Sequence, residues 1–325
     1  MKLPRRRFLH LAAATATLSM VSRIASAQTY PTRPVRIMVG LAAGGPPDIV
    51  ARLMGQWLSE RLGQPFVIEN RPGAGTNIAT EAVVRAPADG YTLLQATLTN
   101  AYNAALYPKL NFDFVRDIAP VSSIMRTPGV MVVNPALLVK TVPEFIAYAK
   151  ANPGKINMAS SGTGNLTHVS GELFKMMTGV DIVHVPYRGS PLALTALFAG
   201  EAQVMFDLLS SSIEHVRAGK LRALAVTSTA RSQLLPDIHP MTEFIPGFEA
   251  SGWQGIGAPK NTPAEIVEKL NKEVNAGLAD PTLKARLASL GGVVFTGSPA
   301  DFGTLIAEEI EKWGKVIRAA NIKID

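Results

Sequence analysis

The sequence predicts an α/β protein built in two lobes, and three observations predict it. Short β-branched runs alternate with helical periods along the chain, the pattern of strands crossed over by helices. The chain has 325 residues, more than one hydrophobic core usually serves. The unit of strand, glycine-rich loop and helix occurs twice, at 35–63 and again at 156–177. Composition agrees, since a chain that is 47% hydrophobic and 18% charged can build large buried sheets.

The first 27 residues form an export signal rather than fold. Lys2, Arg5, Arg6 and Arg7 precede a modest apolar segment from Leu9 to Met20, and Ala25-Ser26-Ala27 makes a cleavage site. Arg5-Arg6-Arg7-Phe8-Leu9 fits the twin-arginine pathway, with Pro4 and His10 off its usual flanks. A retained anchor needs roughly 20 apolar residues, and this run is shorter and carries Thr15, Thr17 and Ser19. Cleavage after Ala27 removes five cations and no acid, so a formal net charge of +7 falls to +2 on 298 residues. The basic balance therefore points to no nucleic-acid or anionic-membrane partner. The chain has no cysteine, which excludes disulfides, thiolate metal sites and cysteine nucleophiles.

In order, Val35 to Val39 is a strand, and Gly40, Ala42, Ala43, Gly44 and Gly45 a loop turning at Pro46-Pro47. A helix follows with Ile49, Leu53, Trp57 and Leu58 on one face and Gly63 as its stop. A loop entering a helix this way exposes unpaired N–H groups at the positive end of the helix dipole, which suits a small anion. No Lys-Ser/Thr pair follows the glycines, so a nucleotide loop is not expected. Strands are predicted at Phe66 to Glu69, Tyr91 to Leu94 and Asp117 to Met125, with a helix from Ile78 to Arg85. Gly73-Ala74-Gly75 lacks the third glycine of a dinucleotide fingerprint, because Ile78 stands there.

Val130 to Val133 is a strand, and Thr141-Val142-Pro143-Glu144 a capping box opening a helix. Ile156 to Ala159 leads into Ser160-Ser161-Gly162-Thr163-Gly164-Asn165, then a helix with Val169, Leu173, Met176 and Met177 on its face. The two loops, one per lobe, are expected to face each other across a cleft. Strands at Asp181 to Val185, Ala202 to Phe206, Leu221 to Val226 and Ser251 to Ala258 alternate with helices from Pro191 and Ser210. Thr262-Pro263-Ala264-Glu265 reads as another capping box, Pro281 to Leu290 as a shorter helix and Val293 to Phe295 as a strand. Ser298-Pro299-Ala300-Asp301 begins a long terminal helix. Such alternation predicts a parallel-rich sheet architecture.

Catalytic constellations are not apparent. The five histidines show no metal-ligand spacing, so no metal or cofactor is expected. Ser161 lacks a nucleophile elbow, since Ala159 replaces the first glycine. A triad of Ser161, His168 and Asp207 can be drawn, and an exported α/β hydrolase built on it is the alternative reading. His168 also fits a helix-start residue bonded to the loop before it.

The motifs together resemble the receptors of tripartite tricarboxylate transporters, the TctC-like or Bug periplasmic solute-binding proteins. The matching stretches are Val39 to Asp48 with Arg52, Glu69 to Gly75, Ala88 to Leu93 and Ser160 to Gly164 with His168. Val185 to Gly189, Gly200 to Asp207 and Ala218 to Thr227 complete them, in order along the whole exported chain. The resemblance implies a two-lobed periplasmic binding protein fold of type II. Lobe 1 would be 28–125 plus 250–325, and lobe 2 would be 126–249. It implies a receptor, not an enzyme, that captures a small organic carboxylate and acts as a monomer.

By the same resemblance Ala43, Gly44, Gly45 and Asp48, with Ser160, Ser161, Gly162, Thr163 and Gly164, would grip the ligand carboxylate. His168, Tyr187, Arg188 and Asp207 would line the cleft. Each of the last three also has a plain structural reading: a core edge for Tyr187, an interlobe salt bridge for Arg188, a helix cap for Asp207. Pro47 and Thr76 depart from the family pattern, which bears on ligand identity. The implied partners are membrane permease subunits, or a membrane kinase if the receptor serves as a sensor.

Overall fold

A computed structural model describes residues 30–107 and 109–324. The export signal lies outside the described residues. Two sheets organise the chain. The first has six strands and the second five.

In the first sheet, β1 (Val35–Val39) pairs in parallel with β2 (Phe66–Asn70) and β3 (Thr92–Thr97). Two helices cover these connections, α1 (Pro46–Leu62) and α2 (Asn77–Val84). The remaining strands are antiparallel: β10 (Gly252–Pro259) lies between β3 and β4 (Ile118–Thr127), and β11 (Val293–Val294) borders β4. In the second sheet β6 (Asn157–Ser160) pairs in parallel with β7 (Val183–Pro186) and β8 (Val204–Leu208). There β5 (Gly129–Val133) runs antiparallel to β8 and to β9 (Arg222–Val226). The architecture is therefore mixed rather than parallel-rich. The cause lies in the crossings: only Pro128 separates β4 from β5, so the chain enters the second sheet with no helix to turn it into a parallel unit.

Arg126 and Thr127 still pair with β10 inside the first sheet. Past them, the Gly129 amide donates to Thr227 Oγ1 at 2.9 Å, and that hydroxyl donates to the Ala250 carbonyl at 2.8 Å. One hydroxyl thus ties the outgoing crossing to the returning one.

Helices of the second half follow: α5 (Val142–Ala151), α6 (Leu166–Thr178), α7 (Ser190–Ala199) and α8 (Leu209–Arg217). Then come α9 (Ala264–Ala279), α10 (Pro281–Ser289) and α11 (Pro299–Ala319). The helix α3 (Leu98–Leu106) and the single turn α4 (Phe114–Asp117) precede them and have no counterpart in the sequence reading. Ser298 opens α11 with a reciprocal cap to Asp301, and Thr141 accepts from the Glu144 amide as its box requires. The box expected at Thr262 does not form. The Thr262 hydroxyl donates to the Pro259 carbonyl at 2.7 Å, and Pro263 occupies the cap position of α9.

Two apolar faces differ from expectation. On α1 the buried stripe is Val50, Ala51, Met54 and Leu58, while Leu53 and Trp57 pack at its edge. Trp57 is drawn aside because its indole N–H donates to the Glu273 carbonyl on α9. On α6, Val169 and Leu173 are buried while Met176 and Met177 are exposed at the helix end. A central cluster joins both sheets, with Phe145, Phe174, Phe206 and Phe248 meeting at centroid distances of 5.2 to 6.4 Å. The terminal helix α11 packs on α3 and also on α6, so it bridges the two halves. Its Lys312 reaches the Glu249 carboxylate at 3.0 Å, and Arg126 reaches the same group at 3.1 Å. Among the described residues no helix is long and apolar enough to cross a membrane.

Candidate ligand-binding cleft

The loop after β1 is shaped by Asp48. This carboxylate is buried in the first turn of α1 and accepts from the Gly44 amide at 2.8 Å, Arg52 Nε at 2.9 Å and Asn70 Nδ2 at 3.0 Å. Burial pushes its pKa up, but these bonds outweigh burial and keep it below the ordinary carboxylate value. Gly44 adopts the left-handed conformation (φ +81°), which lets its N–H turn back toward Asp48. The N–H groups of Ala42 and Ala43 are bonded to no acceptor among the described residues. Ala43 and Gly44 are exposed and Gly45 is half-buried.

The loop after β6 is shaped by its own side chains. Asn165 caps α6 by accepting from the His168 amide, and its Nδ2 donates to Ser161 Oγ at 2.8 Å. The Ser161 amide donates to Thr167 Oγ1 at 2.8 Å, and the Gly164 amide to His168 Nδ1 at 3.0 Å. Ser160 is buried, with its hydroxyl 2.6 Å from His184 Nε2 and 3.2 Å from the Gly162 amide that donates to it. His184 stacks on His168 with centroids 3.6 Å apart. Burial first, then the neighbouring His168, lowers the His184 pKa to about 4. Thr163 is exposed, and Gly164 is buried beside Leu106 and Ile324.

These positions do not assemble a Ser161–His168–Asp207 relay. Ser161 Oγ is engaged by Asn165 and Thr167. His168 turns Nδ1 to the Gly164 amide and places Nε2 3.7 Å from Glu172. Asp207, buried at the end of β8, accepts from Ser190 at 2.8 Å and Ser212 at 2.7 Å. It therefore ties a hydroxyl at the start of α7 to one near the start of α8 without capping either helix, since Gly189 and Leu208 hold the cap positions. Burial outweighs both bonds and raises its pKa. Tyr187 packs against the outer core of the second sheet, and Arg188 is exposed. The Tyr187 and Gly189 amides donate to the Ser160 and Ser161 carbonyls at 2.9 and 3.1 Å, which fastens their loop to the one after β6.

A cavity of ≈ 260 Å³ lies between the two sheets. From the first-sheet side it is lined by Leu41, Pro46, Pro47, Thr97, Leu98, Thr99, Tyr102, Thr127, Gly252, Trp253, Gln254 and Leu290. The second-sheet side supplies Ser161, Asn165, Leu166, Thr167, Leu208 and Ser210. Of the residues picked out from sequence, Ser161 lies in this lining. The others form or support the loops beside it.

Four helices begin on this cavity. Pro46 and Pro47 start α1, Thr97 caps α3, Asn165 caps α6 and Leu208 caps α8. Each helix start carries roughly half a positive charge. None of the lining side chains is ionisable except the Tyr102 phenol, whose pKa burial raises to about 12. The cavity is thus electropositive without a cation, a setting for an anion held by backbone dipoles. The prolines of α1 supply no N–H, so its donors lie in the preceding loop. Trp253 Nε1 is buried with no acceptor among the described residues. Gln254 takes its neighbour's N–H through Oε1 (3.0 Å from Gln95 Nε2), which leaves its own amide N–H groups as donors. Among the described residues no group of three or more His, Asp or Glu side chains is placed to hold a metal ion.

Comparison with known proteins fits this geometry. The profile described as "Tripartite tricarboxylate transporter family receptor" matches residues 50–322. Protein BugT of Bordetella pertussis is 36% identical over 302 residues, 92% of this chain and 93% of that protein. Among solved structures, R. palustris Rpa4515 with adipate superposes with a TM-score of 0.76 at 38% identity, over 91% of this chain and 100% of that one. MatC (Rpa3494) from Rhodopseudomonas palustris with bound malate superposes with a TM-score of 0.72 at 34% identity, over 89% and 100%.

Proposed function

The chain belongs to the tripartite tricarboxylate transporter receptor family, and from this we propose that it is exported to the periplasm as a monomer. There it closes two lobes on a small organic carboxylate and presents the closed form to membrane permease subunits. The observation that carries the reading is the convergence of four helix starts, from both sheets, on one cavity whose only ionisable side chain is a phenol. Backbone dipoles satisfy a carboxylate without the desolvation cost of a buried arginine. The adipate and malate in the two solved relatives are small carboxylates of this kind.

The proposed lobes are 28–125 with 250–325, and 126–249, bending about the Gly129–Thr227–Ala250 bonds. Ala43, Gly44 and Gly45 would meet the ligand from one lobe, and Ser160, Ser161, Gly162, Thr163 and Gly164 from the other. Asp48, His168 and Asp207 serve by holding these segments in place, and Tyr187 with Arg188 would reach the ligand on closure. The export signal, cut after Ala27, would deliver the chain by the twin-arginine route.

Native mass spectrometry of the exported form, before and after unfolding and refolding, tests the reading. A co-purified small acid that refolding removes and re-addition restores supports it. A refolded, folded chain that binds no organic anion contradicts it. Capture of permease subunits, against capture of a membrane kinase, separates transport from sensing.

A further inference from the structure

We infer that the ligand carries its carboxylate on an apolar skeleton, chain or ring, without amino or hydroxyl substituents. This rests on the receptor reading above and assigns the substrate class of the same cleft.

The walls carry the inference. Leu41, Leu98, Trp253 and Leu290 face the cavity from one lobe and Leu166 and Leu208 from the other. They come from six separate segments, so a ligand held at the helix starts has hydrocarbon on both sides. Tyr102 adds an aromatic face from α3. An amino acid would bring an ammonium group, and the lining has no carboxylate to receive it. The acids nearest in sequence to the lining loops are engaged elsewhere: Asp48 with Gly44, Arg52 and Asn70, and Asp207 with Ser190 and Ser212. A desolvated cation without a partner is strongly disfavoured.

A hydroxy acid fares poorly for a related reason. Several hydroxyls of the lining already have partners: Ser161 with Asn165 and Thr167, Thr97 with Asn100, Thr99 with Tyr102. The donors the lining leaves free, Trp253 Nε1 and the Gln254 amide, are assigned to the carboxylate, and a further ligand hydroxyl would compete with bonds that shape the loops or sit against leucine side chains. A methylene placed there is instead removed from water.

The test is calorimetric titration of the unfolded and refolded exported chain. The probes are the straight-chain carboxylates from propanoate to octanoate, their α,ω-dicarboxylate counterparts and benzoate, set against glutamate, malate and citrate. The expected result is an affinity that rises about three- to fourfold per methylene until the cavity is full, with a negative heat-capacity change on binding. The chain and ring acids then report which skeleton fits best. Leu98→Asn and Leu290→Asn, on different elements, should each flatten the methylene dependence relative to the native chain. A flat series, or tighter binding of glutamate, malate or citrate than of the matched unsubstituted acid, overturns this inference alone. Binding of no anion at all overturns the receptor reading and the inference with it.

Discussion

Replacing Asp48 by Asn tests whether a buried carboxylate organises the first anion-facing loop. Asn keeps the shape and removes the charge. In the native chain Oδ2 accepts from the Gly44 amide and Arg52, and Oδ1 accepts from Asn70. An amide group has one acceptor, so its NH₂ must face a donor. Asn70 cannot simply invert, because its Nδ2 also donates to the Leu41 carbonyl and its Oδ1 accepts from Arg52. One hydrogen bond to a charged group is lost, at about 1.5–3 kcal/mol. The ion pair with Arg52, whose side chain is half exposed, is screened by solvent and adds little. The expected loss is about 1.5–3 kcal/mol, or a few degrees in Tm for a chain of this length.

The sign with pH follows from the depressed pKa. The carboxylate contributes its stability in full above the ordinary carboxylate value and loses it as pH falls through the lower value of the folded state. The gap between native and variant melting temperatures should therefore close on acidification. Thermal unfolding by circular dichroism from neutral pH to pH 3 measures both effects, and ligand titration at neutral pH should show weaker binding as the loop loosens. A variant that melts within about 1 °C of the native chain and binds ligand equally would refute the role assigned to Asp48.

Three other perturbations have defined outcomes. Gly255→Ala on β10 places a methyl against the Phe302 ring and the Ser122 carbonyl; overpacking there should cost about 3 kcal/mol, read as a lower denaturation midpoint. His184 has a folded pKa of about 4 against an ordinary 6.5, so its contribution is present above pH 6.5 and is lost as pH falls toward 4. Discounted for partial exposure, this is on the order of 1–2 kcal/mol, and His184→Gln should flatten the stability profile across that window; an unchanged slope would count against the stacked pair. Ser161→Ala should weaken carboxylate binding by about fivefold and alter no esterase signal, whereas hydrolysis that the native chain shows and the variant lacks would revive the catalytic alternative.

Much of the scaffold was legible because its signals are local. The run Val35 to Val39 is a strand with those bounds, and both strand–loop–helix units stand where glycines and small residues announced them. The cavity lining was much less so. Helix α3, which brings Thr97, Leu98, Thr99 and Tyr102 to the site, opens with a box that uses Asn100 at the third position. A search for Glu or Gln there passes over it, although Thr97-x-x-Asn100 was the available sign. Trp253 and Gln254 reach the cleft through strand pairings more than a hundred residues away in sequence and Leu290 from the end of α10, and nothing around them marks a site. Asp48, His168 and Asp207 were picked out as ligand contacts by resemblance to the family. Their partners, which only the fold supplies, show them bonded to their own loops and helices.

The central claim is that backbone dipoles from both lobes hold an anion. Titrating one carboxylic acid and its primary amide into the refolded chain tests it most directly. The account predicts one saturable site per chain for the carboxylate, with the amide at least about a hundredfold weaker, the difference of about 2.7 kcal/mol that several charge-assisted hydrogen bonds supply. Equal binding of acid and amide would contradict it.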